Sequence, residues 1–530
     1  MRARFYILAG FFSILFTLLG YKLYSLQILK GSDYLEKVAA RNELADKQQL
    51  RRGQIYFSDR SGAAIPVALN KEFPHIVAIP KEVEDPAAAA KTLAPLLDIS
   101  EAKLKEVFSS GLSYYSLVDK ADEAKVSAVN NADIAGVEVV DAQYRYYPFE
   151  SLASQLVGFV GKTEKQVDPV GLYGIEKLDN ESLQRGDDVY FTIDRNLQAE
   201  AEQVLKNLVV AYKASGGSIL IQEPKSGKIL AMASAPDFDP NEYSNAPLSH
   251  FINPTVQAVY EPGSVFKPLT MAAGIDSGSI TPETTYVDTG HVTLNGKTIT
   301  NWDHKAHGKI TMTNVIEDSV NTGSIFAQQK MGREIFYSYI KKFGFGDPTN
   351  IDLPDEVRGS LVNLERKRAP DIDYATASYG QGTAVTPVQL ITAFSAIANG
   401  GLLMRPYVHA EEKPLVVRRV MSEDTAQKVT RMMESAVEKN KIAAIPEYRV
   451  AGKTGTAFVP ENGKYNENLT IHTFIGFAPA EDAKFVIMIK LEKPDKPLAG
   501  QTIVPKFGEI ARFVLNYYDI PPDRLTSTNP

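Results

Sequence analysis

Apolar and polar positions are unevenly distributed along this chain, and its one long charge-free run lies near the start. Phe5 to Tyr21, "FYILAGFFSILFTLLGY", is at the short end of what an α-helix needs to cross a bilayer. Lys22 can lengthen such a span by snorkelling. Arg2 and Arg4 precede the run, which favours a cytoplasmic N-terminus, while Lys22 and Lys30 follow it and weaken the bias. No A-x-A-like site follows at once, so the pattern predicts an uncleaved transmembrane anchor over a cleaved signal peptide. No later run could span. Nearly all the chain is therefore expected on the extracytoplasmic side of a cell inner or plasma membrane, as a single-pass protein.

Beyond the run the periodicity changes. Residues 26–49 read as a polar, helical stalk, and "RRGQIYFSDRSG" alternates into a strand and a glycine turn. Pro86 to Asp141 reads as mixed helix and strand. Asp194 can cap a helix whose apolar positions Leu197, Ala201, Val204, Leu205 and Leu208 share one face. "GGSILIQEPKSGKILAMAS" predicts a hairpin turning around Pro224 to Gly227. "YRVAGKTGTAFV", "IHTFIGFAP" and "KFVIMIKLE" predict strands, with turns at Asn462-Gly463 and "AEDA". A final helix, "PKFGEIARFVLNYY", follows, and the tail "TSTNP" reads as disordered. Helical stretches fill residues 264–440. Strands, then helices, then strands predict an α+β domain, an antiparallel sheet packed with a helical cluster. The main boundary falls near residue 190, dividing the chain into 1–25, 26–190 and 191–530.

Composition narrows the chemistry. At 530 residues the chain is long enough for roughly three domains. Its apolar content of 44% and charged content of 23% are ordinary for globular protein. A net charge of −7 gives no basic field to suggest nucleic acid as a partner. The absence of cysteine excludes thiolate metal sites, iron–sulfur clusters, disulfides and a cysteine nucleophile. It fits an oxidising compartment.

The candidate chemistry starts at "YEPGSVFKPLT". Proline is tolerated near a helix start but costly inside it. Pro268 therefore puts Ser264 near a helix N-terminus, with Lys267 three residues on along the same face. A serine hydroxyl needs a base to become a nucleophile, and a lysine whose pKa is lowered by burial or nearby positive charge can be one. The bland alternative is an N-cap serine beside a surface lysine. Ser100/Lys103 and Ser338/Lys341 share the spacing but lack Pro-Gly and matching partners, and read as bland. What separates Ser264 is company. "EDSVNTGS" offers Ser319 and Asn321. "VAGKTGTAF" holds the only K-T-G of the chain, with Lys453, Thr454, Gly455 and Thr456. A lysine cation and threonine hydroxyls suit a substrate carboxylate. Gly455 would let an extended peptide lie close to the strand edge.

In this order, S-x-x-K, S-x-N and K-T-G resemble the signature of the penicillin-recognising serine transpeptidases, with S-V-N here in place of S-D-N. The resemblance implies Ser264 as the acylated nucleophile, Lys267 as its general base and Ser319 as the proton relay to the leaving group. It implies Asn321 as the holder of the substrate amide, and Lys453, Thr454 and Thr456 as holders of the terminal carboxylate. Backbone N–H groups of Ser264 and Thr456 would form the oxyanion hole. "RRGQIYFSDRSG", "RYYPFESLASQLVGFVG" and "GLYGIEKLDNESLQRG" resemble the non-catalytic pedestal, or dimerisation domain, of class B penicillin-binding proteins. "YGQGTAVTPVQL" and "AIANGG" resemble the same class. The stretch from Asn462 to Pro494 is more similar to the cell-division members than to the elongation members. "QTIVPKFGEI" departs from the class in lacking a small Ala-Ala pair before its proline.

The implied protein is a membrane-anchored peptidoglycan D,D-transpeptidase. It would cross-link stem peptides ending in D-Ala-D-Ala through a serine acyl-enzyme, be inhibited by β-lactams and need no metal or cofactor. Its partners would be stem peptides, β-lactams, the membrane, a polytopic glycan polymerase and divisome proteins, and not nucleic acid. Alternatives are an elongation-type enzyme, a β-lactamase or carboxypeptidase, and a β-lactam-sensing scaffold of the same fold. Intact Ser264, Lys267 and Lys453 argue against the scaffold. His304 and His307 lack the further ligand a zinc site wants and read as exposed loop residues. Asn295-Gly296 reads as a hairpin turn, and Trp302, the only tryptophan, as a packing residue beside the site.

Overall fold

The computed structural model describes residues 2–25, 28, 52–163, 166–461 and 464–524. The predicted stalk, apart from residue 28, the Asn462-Gly463 turn and the tail 526–530 lie outside the described residues. The chain divides into two compact units.

One unit comprises residues 1–53, 70–146 and 184–186. The expected anchor is a helix, Arg2–Tyr24, with Leu8, Phe11, Ile14 and Phe16 exposed. Among the described residues no helix is long and apolar enough to cross a membrane, so the structure gives the helix without the span. The predicted mixed region contains helices Pro86–Leu97, Glu101–Phe108 and Glu123–Ala132. Each starts on a side chain that accepts a backbone N–H: Asp85, Ser100 and Asp122. Leu93, Leu97, Leu104, Phe108 and Val129 bury against Ile76 and Ala78. Ser100 is thus a helix cap, accepting from the Lys103 backbone at 3.3 Å, and the Lys103 side chain turns outward to Glu106.

The other unit comprises residues 54–69, 147–183 and 187–530. Its frame is a five-stranded sheet of β1 (Gly216–Gln222), β2 (Ile229–Ala235), β3 (Ala451–Glu461), β4 (Lys464–Ala478) and β5 (Phe485–Glu492). The order is β3-β4-β5-β1-β2, antiparallel throughout. Successive side chains point to opposite sides of the sheet, and apolar ones pack on both faces. Ile219, Ile221, Phe474, Ile487 and Ile489 pack on one side, against α1 (Arg195–Ala211) and the C-terminal helix Val504–Tyr517. Leu220, Met232, Ile475 and Met488 face a helical cluster on the other. Asp194 caps α1, and Leu197, Ala201, Val204, Leu205 and Leu208 are its buried face, as the periodicity predicts.

The cluster holds α2 (Lys267–Asp276), α3 (Met312–Glu317), α4 (Asn321–Met331), α5 (Pro387–Ala398) and α6 (Glu423–Asn440). Strands His291–Leu294 and Lys297–Thr300 pair across Asn295 and Gly296. Both turn residues have positive φ, 48° and 75°, the geometry that selects Asn-Gly. Ser338 lies inside a helix, donating to the Ile335 carbonyl, and Lys341 pairs with Asp347. Neither repeat of the serine–lysine spacing has the surroundings of Ser264.

Candidate active site

The serine segment is tied down before its chemistry begins. Tyr260 exchanges both backbone hydrogen bonds with Val385, and the Gly263 N–H donates to the Gly380 carbonyl at 3.1 Å. Gly263 has φ +63°, a conformation that favours glycine. One 3-10 turn, Gly263–Phe266, then carries Ser264 into α2, and Pro268 falls in the first turn of that helix. Ser264 is half-buried and Lys267 wholly buried.

The Lys267 amine donates to the Ser319 hydroxyl at 3.2 Å, to the Asn321 side-chain carbonyl at 2.9 Å and to the Ser319 backbone carbonyl. None of these bonds goes to Ser264, so the spacing of three seats the two residues in one turn without joining them in this state. The α3–α4 junction presents Ser319. Its φ of +56° is left-handed, which for a residue with a side chain costs about 1–2 kcal/mol. Asn321 opens α4, and its amide also donates to the Thr300 carbonyl at 2.9 Å.

Lys453 approaches from the sheet. Its amine donates to the same Ser319 hydroxyl at 3.0 Å and to the Thr454 carbonyl at 3.0 Å. Burial removes water from both lysines and disfavours their charged forms. It brings Lys453 down to about 7. It holds Lys267 well below the ordinary lysine value, helped by the charge of Lys453.

Lys453, Thr454, Gly455 and Thr456 lie on β3, an edge strand of the sheet, paired with Ile475, Phe474, Thr473 and His472 of β4. The other edge of β3 can therefore take an extended peptide. The glycine has a different reason from the one expected. A Cβ at Gly455 would sit 2.9 Å from the Pro262 carbonyl and 3.0 Å from the Val265 side chain. What comes close is the protein's own serine turn. The Thr456 hydroxyl accepts from the Ala499 N–H at 3.2 Å, which fastens the turn at Ala499–Gln501 to the strand.

A cavity of about 440 Å³ joins these parts, lined by Ser264, Ser319, Lys453, Thr454 and Thr456. Asn321 and Gly455 are not in its lining. Trp302 is at this cavity but is not packed away: it is 56% exposed, with its indole N–H donating to the Asp318 carbonyl at 3.0 Å. His304 is exposed, and His307 is half-buried with its ring nitrogen 3.3 Å from Asp303. Among the described residues no group of three or more metal-ligating side chains converges.

Ser319 stands out in the sequence as a motif residue, but its left-handed backbone shows only in the structure. One buried residue beside the site escapes sequence reasoning. His472, the partner of Thr456 across β3 and β4, is fully buried, with one ring nitrogen 2.8 Å from the Thr502 hydroxyl and the other 3.1 Å from that of Thr470. Burial pushes His472 down to about 4, so it is neutral. Only the period-2 pattern of β4, which points it inward, hinted at burial.

An uncharged amine beside a hydroxyl can take a proton, and a second amine with two threonine hydroxyls can hold an anion. Residues 217–512 match the family described as the penicillin binding protein transpeptidase domain. Residues 47–216 match the penicillin-binding protein dimerisation domain. Stage V sporulation protein D of Bacillus subtilis is 33% identical over 510 residues, covering 87% of this chain and 77% of the relative. The peptidoglycan D,D-transpeptidase FtsI of Escherichia coli is 28% identical over 563 residues, covering 99% and 93%. The probable peptidoglycan D,D-transpeptidase PenA of Neisseria gonorrhoeae is 26% identical over 515 residues, covering 91% and 87%.

Proposed function

This chain belongs to the penicillin-binding protein transpeptidases, with the dimerisation domain of that family ahead of the catalytic one, and from that premise we propose how its own residues divide the reaction. The protein is a serine-type peptidoglycan D,D-transpeptidase of cell-wall synthesis, of class B, whose family takes stem peptides and β-lactams. Ser264 attacks the penultimate D-Ala carbonyl, and Lys267 accepts its proton. Ser319 relays a proton to the departing D-Ala amine, so the carbonyl–nitrogen bond breaks as the ester forms. An amine from a neighbouring stem then takes the acyl group and regenerates Ser264. Asn321 holds a substrate amide; Lys453, Thr454 and Thr456 hold the terminal carboxylate. Gly455 keeps the strand against the serine turn, and the N–H groups of Ser264 and Thr456 stabilise the oxyanion.

The observation that carries this assignment is the meeting of Lys267 and Lys453 on one hydroxyl, that of Ser319, in the cavity that Ser264 lines. Mass spectrometry after incubation with labelled penicillin tests it. A single adduct on Ser264, lost in Ser264→Ala, is expected; an adduct elsewhere overturns the assignment.

The N-terminal helix is proposed to be a single-pass membrane anchor that leaves the catalytic domain extracytoplasmic, supported by the charge-free run Phe5–Tyr21 and its exposed apolar side chains. A septal role, with a glycan polymerase and divisome proteins as partners, is supported by the likeness of residues 462–494 to division-type members. Depletion of the protein tests that role: filaments with unconstricted septa are expected, and rounded cells would contradict it.

A further inference from the structure

We propose that Asp288, a buried carboxylate outside the cleft, is a positioning residue for the reaction: it clamps both ends of the segment that presents Asn321, and through that clamp sets which end of the Asn321 amide faces Lys267. This rests on the roles given above to Ser264, Lys267 and Asn321.

Asp288 ends the strand Thr285–Asp288, is 2% exposed and does not line the cavity. One of its oxygens accepts from the Thr322 hydroxyl at 2.7 Å and from the Gly290 N–H at 2.9 Å. The other accepts from the Asn301 side-chain amide at 2.8 Å and from the His307 N–H at 2.9 Å. All four donors are neutral groups. Burial opposes the charge, but these hydrogen bonds prevail and hold the carboxyl below its ordinary range. An interior carboxylate is tolerated only when it is so fully hydrogen-bonded. What the carboxylate does follows from where its donors belong.

His307 and Thr322 bracket one stretch of chain. Between them run the strand Gly308–Thr311, α3 and the junction that leads to Asn321. A single side chain thus ties the two ends of that stretch together. Asn301 acts on the same point from the hairpin that ends at Thr300. Its side-chain oxygen accepts the Thr322 N–H at 3.2 Å, while its amide nitrogen is held by Asp288.

The consequence reaches the base through one amide. The carbonyl of Thr300, the residue before Asn301, accepts from the Asn321 side-chain nitrogen at 2.9 Å. With its nitrogen turned to Thr300, Asn321 leaves its oxygen for the Lys267 amine, also at 2.9 Å. Asp288 fixes Asn301 and Thr322, and the chain neighbours of those two residues, Thr300 and Asn321, make the bond that decides this orientation. Asp288 itself bonds to neither Lys267 nor Asn321, so it acts on the reaction only through the residues it holds.

Asp288→Asn keeps the size of the side chain but exchanges one acceptor oxygen for a donor, which must then face groups that donate themselves. The measurement is the rate constant for acylation of Ser264 by labelled penicillin. A partly unfolded preparation lowers the yield of adduct and leaves that constant unchanged, so loss of fold does not imitate the effect. Asp288→Asn should slow acylation about ten-fold, where a full 1 Å displacement costs about a hundred-fold. In Asn321→Ala, with no amide left to orient, the same substitution should cost no more than about three-fold. Thr322→Val removes one donor with the charge in place and carries the same test should Asp288→Asn give no folded protein; Thr322→Ser, which keeps the hydroxyl, should recover the rate. Unslowed acylation in Asp288→Asn or Thr322→Val, or an equal cost with and without the Asn321 amide, overturns the positioning role alone. Wild-type protein with no adduct on Ser264 overturns the catalytic assignment on which it rests.

Discussion

Lys267 and Lys453 lie on different elements, one opening a helix and the other on an edge strand, yet their amines reach the same Ser319 hydroxyl at 3.2 and 3.0 Å. Two like charges cannot both persist there without water. Burial lowers both pKa values, and the charge of Lys453 lowers that of Lys267 further. The meeting of the two lysines thus has an electrostatic side: the charge of Lys453 favours the uncharged form of Lys267, which suits the base role proposed for it.

Lys453→Met should therefore do more than weaken substrate binding. Without the neighbouring cation Lys267 holds its proton more tightly, and a base works only when deprotonated. The rising acidic limb of the acylation rate against pH should move to higher pH. A limb left in place would show that Lys453 does not tune Lys267.

Asn321→Asp puts a carboxylate where an amide oxygen now accepts from Lys267 at 2.9 Å. An anion that close favours the charged lysine. Acylation by penicillin at neutral pH should fall about a hundred-fold, the usual worth of a general base, and recover in part as pH rises. Asn321→Ser, which removes the contact without adding charge, should leave the pH profile in place.

Gly455→Ala tests the seating of the serine turn. The added methyl meets the Pro262 carbonyl at 2.9 Å, a backbone atom that cannot swing aside. Strand and turn must part, and a shift of about 1 Å costs about a hundred-fold in rate. Thermal unfolding should change little by comparison. Equal losses of stability and of acylation would point to general damage.

His409 is clamped between Asp179 at 2.9 Å and Asp352 at 2.7 Å. Burial opposes its charge, but hydrogen bonds to the two carboxylates prevail and raise its pKa from 6.5 to about 9. The folded state therefore binds the proton more tightly than the unfolded chain. The stabilisation, of order 2 kcal/mol, is complete below about pH 6.5 and is lost as pH rises through 9. In urea unfolding, His409→Asn should cost clearly more at pH 6 than at pH 10. The same cost at both would show that the ion pairs contribute nothing.

Much of the architecture was readable from local pattern. The capped α1 face, the Asn295-Gly296 turn and the strands around Lys453 follow from period, caps and turn chemistry, which are properties of neighbouring residues. Pro268 placed Ser264 correctly by the same logic. Ser319 was legible as a motif residue but not as one held at φ +56°. His472 and Trp302 were misjudged or missed, because burial depends on what packs from elsewhere.

The sequence alone determined which groups the chemistry has at hand and which segments carry them, since propensity and spacing act over a few residues. Only the tertiary structure decided that Lys267 faces Ser319 and Asn321 rather than Ser264, and that Gly455 makes room for Pro262. Those outcomes join segments from 52 to 193 residues apart. They are settled by close packing and by the exclusion of water from charged amines, neither of which exists until the chain has folded.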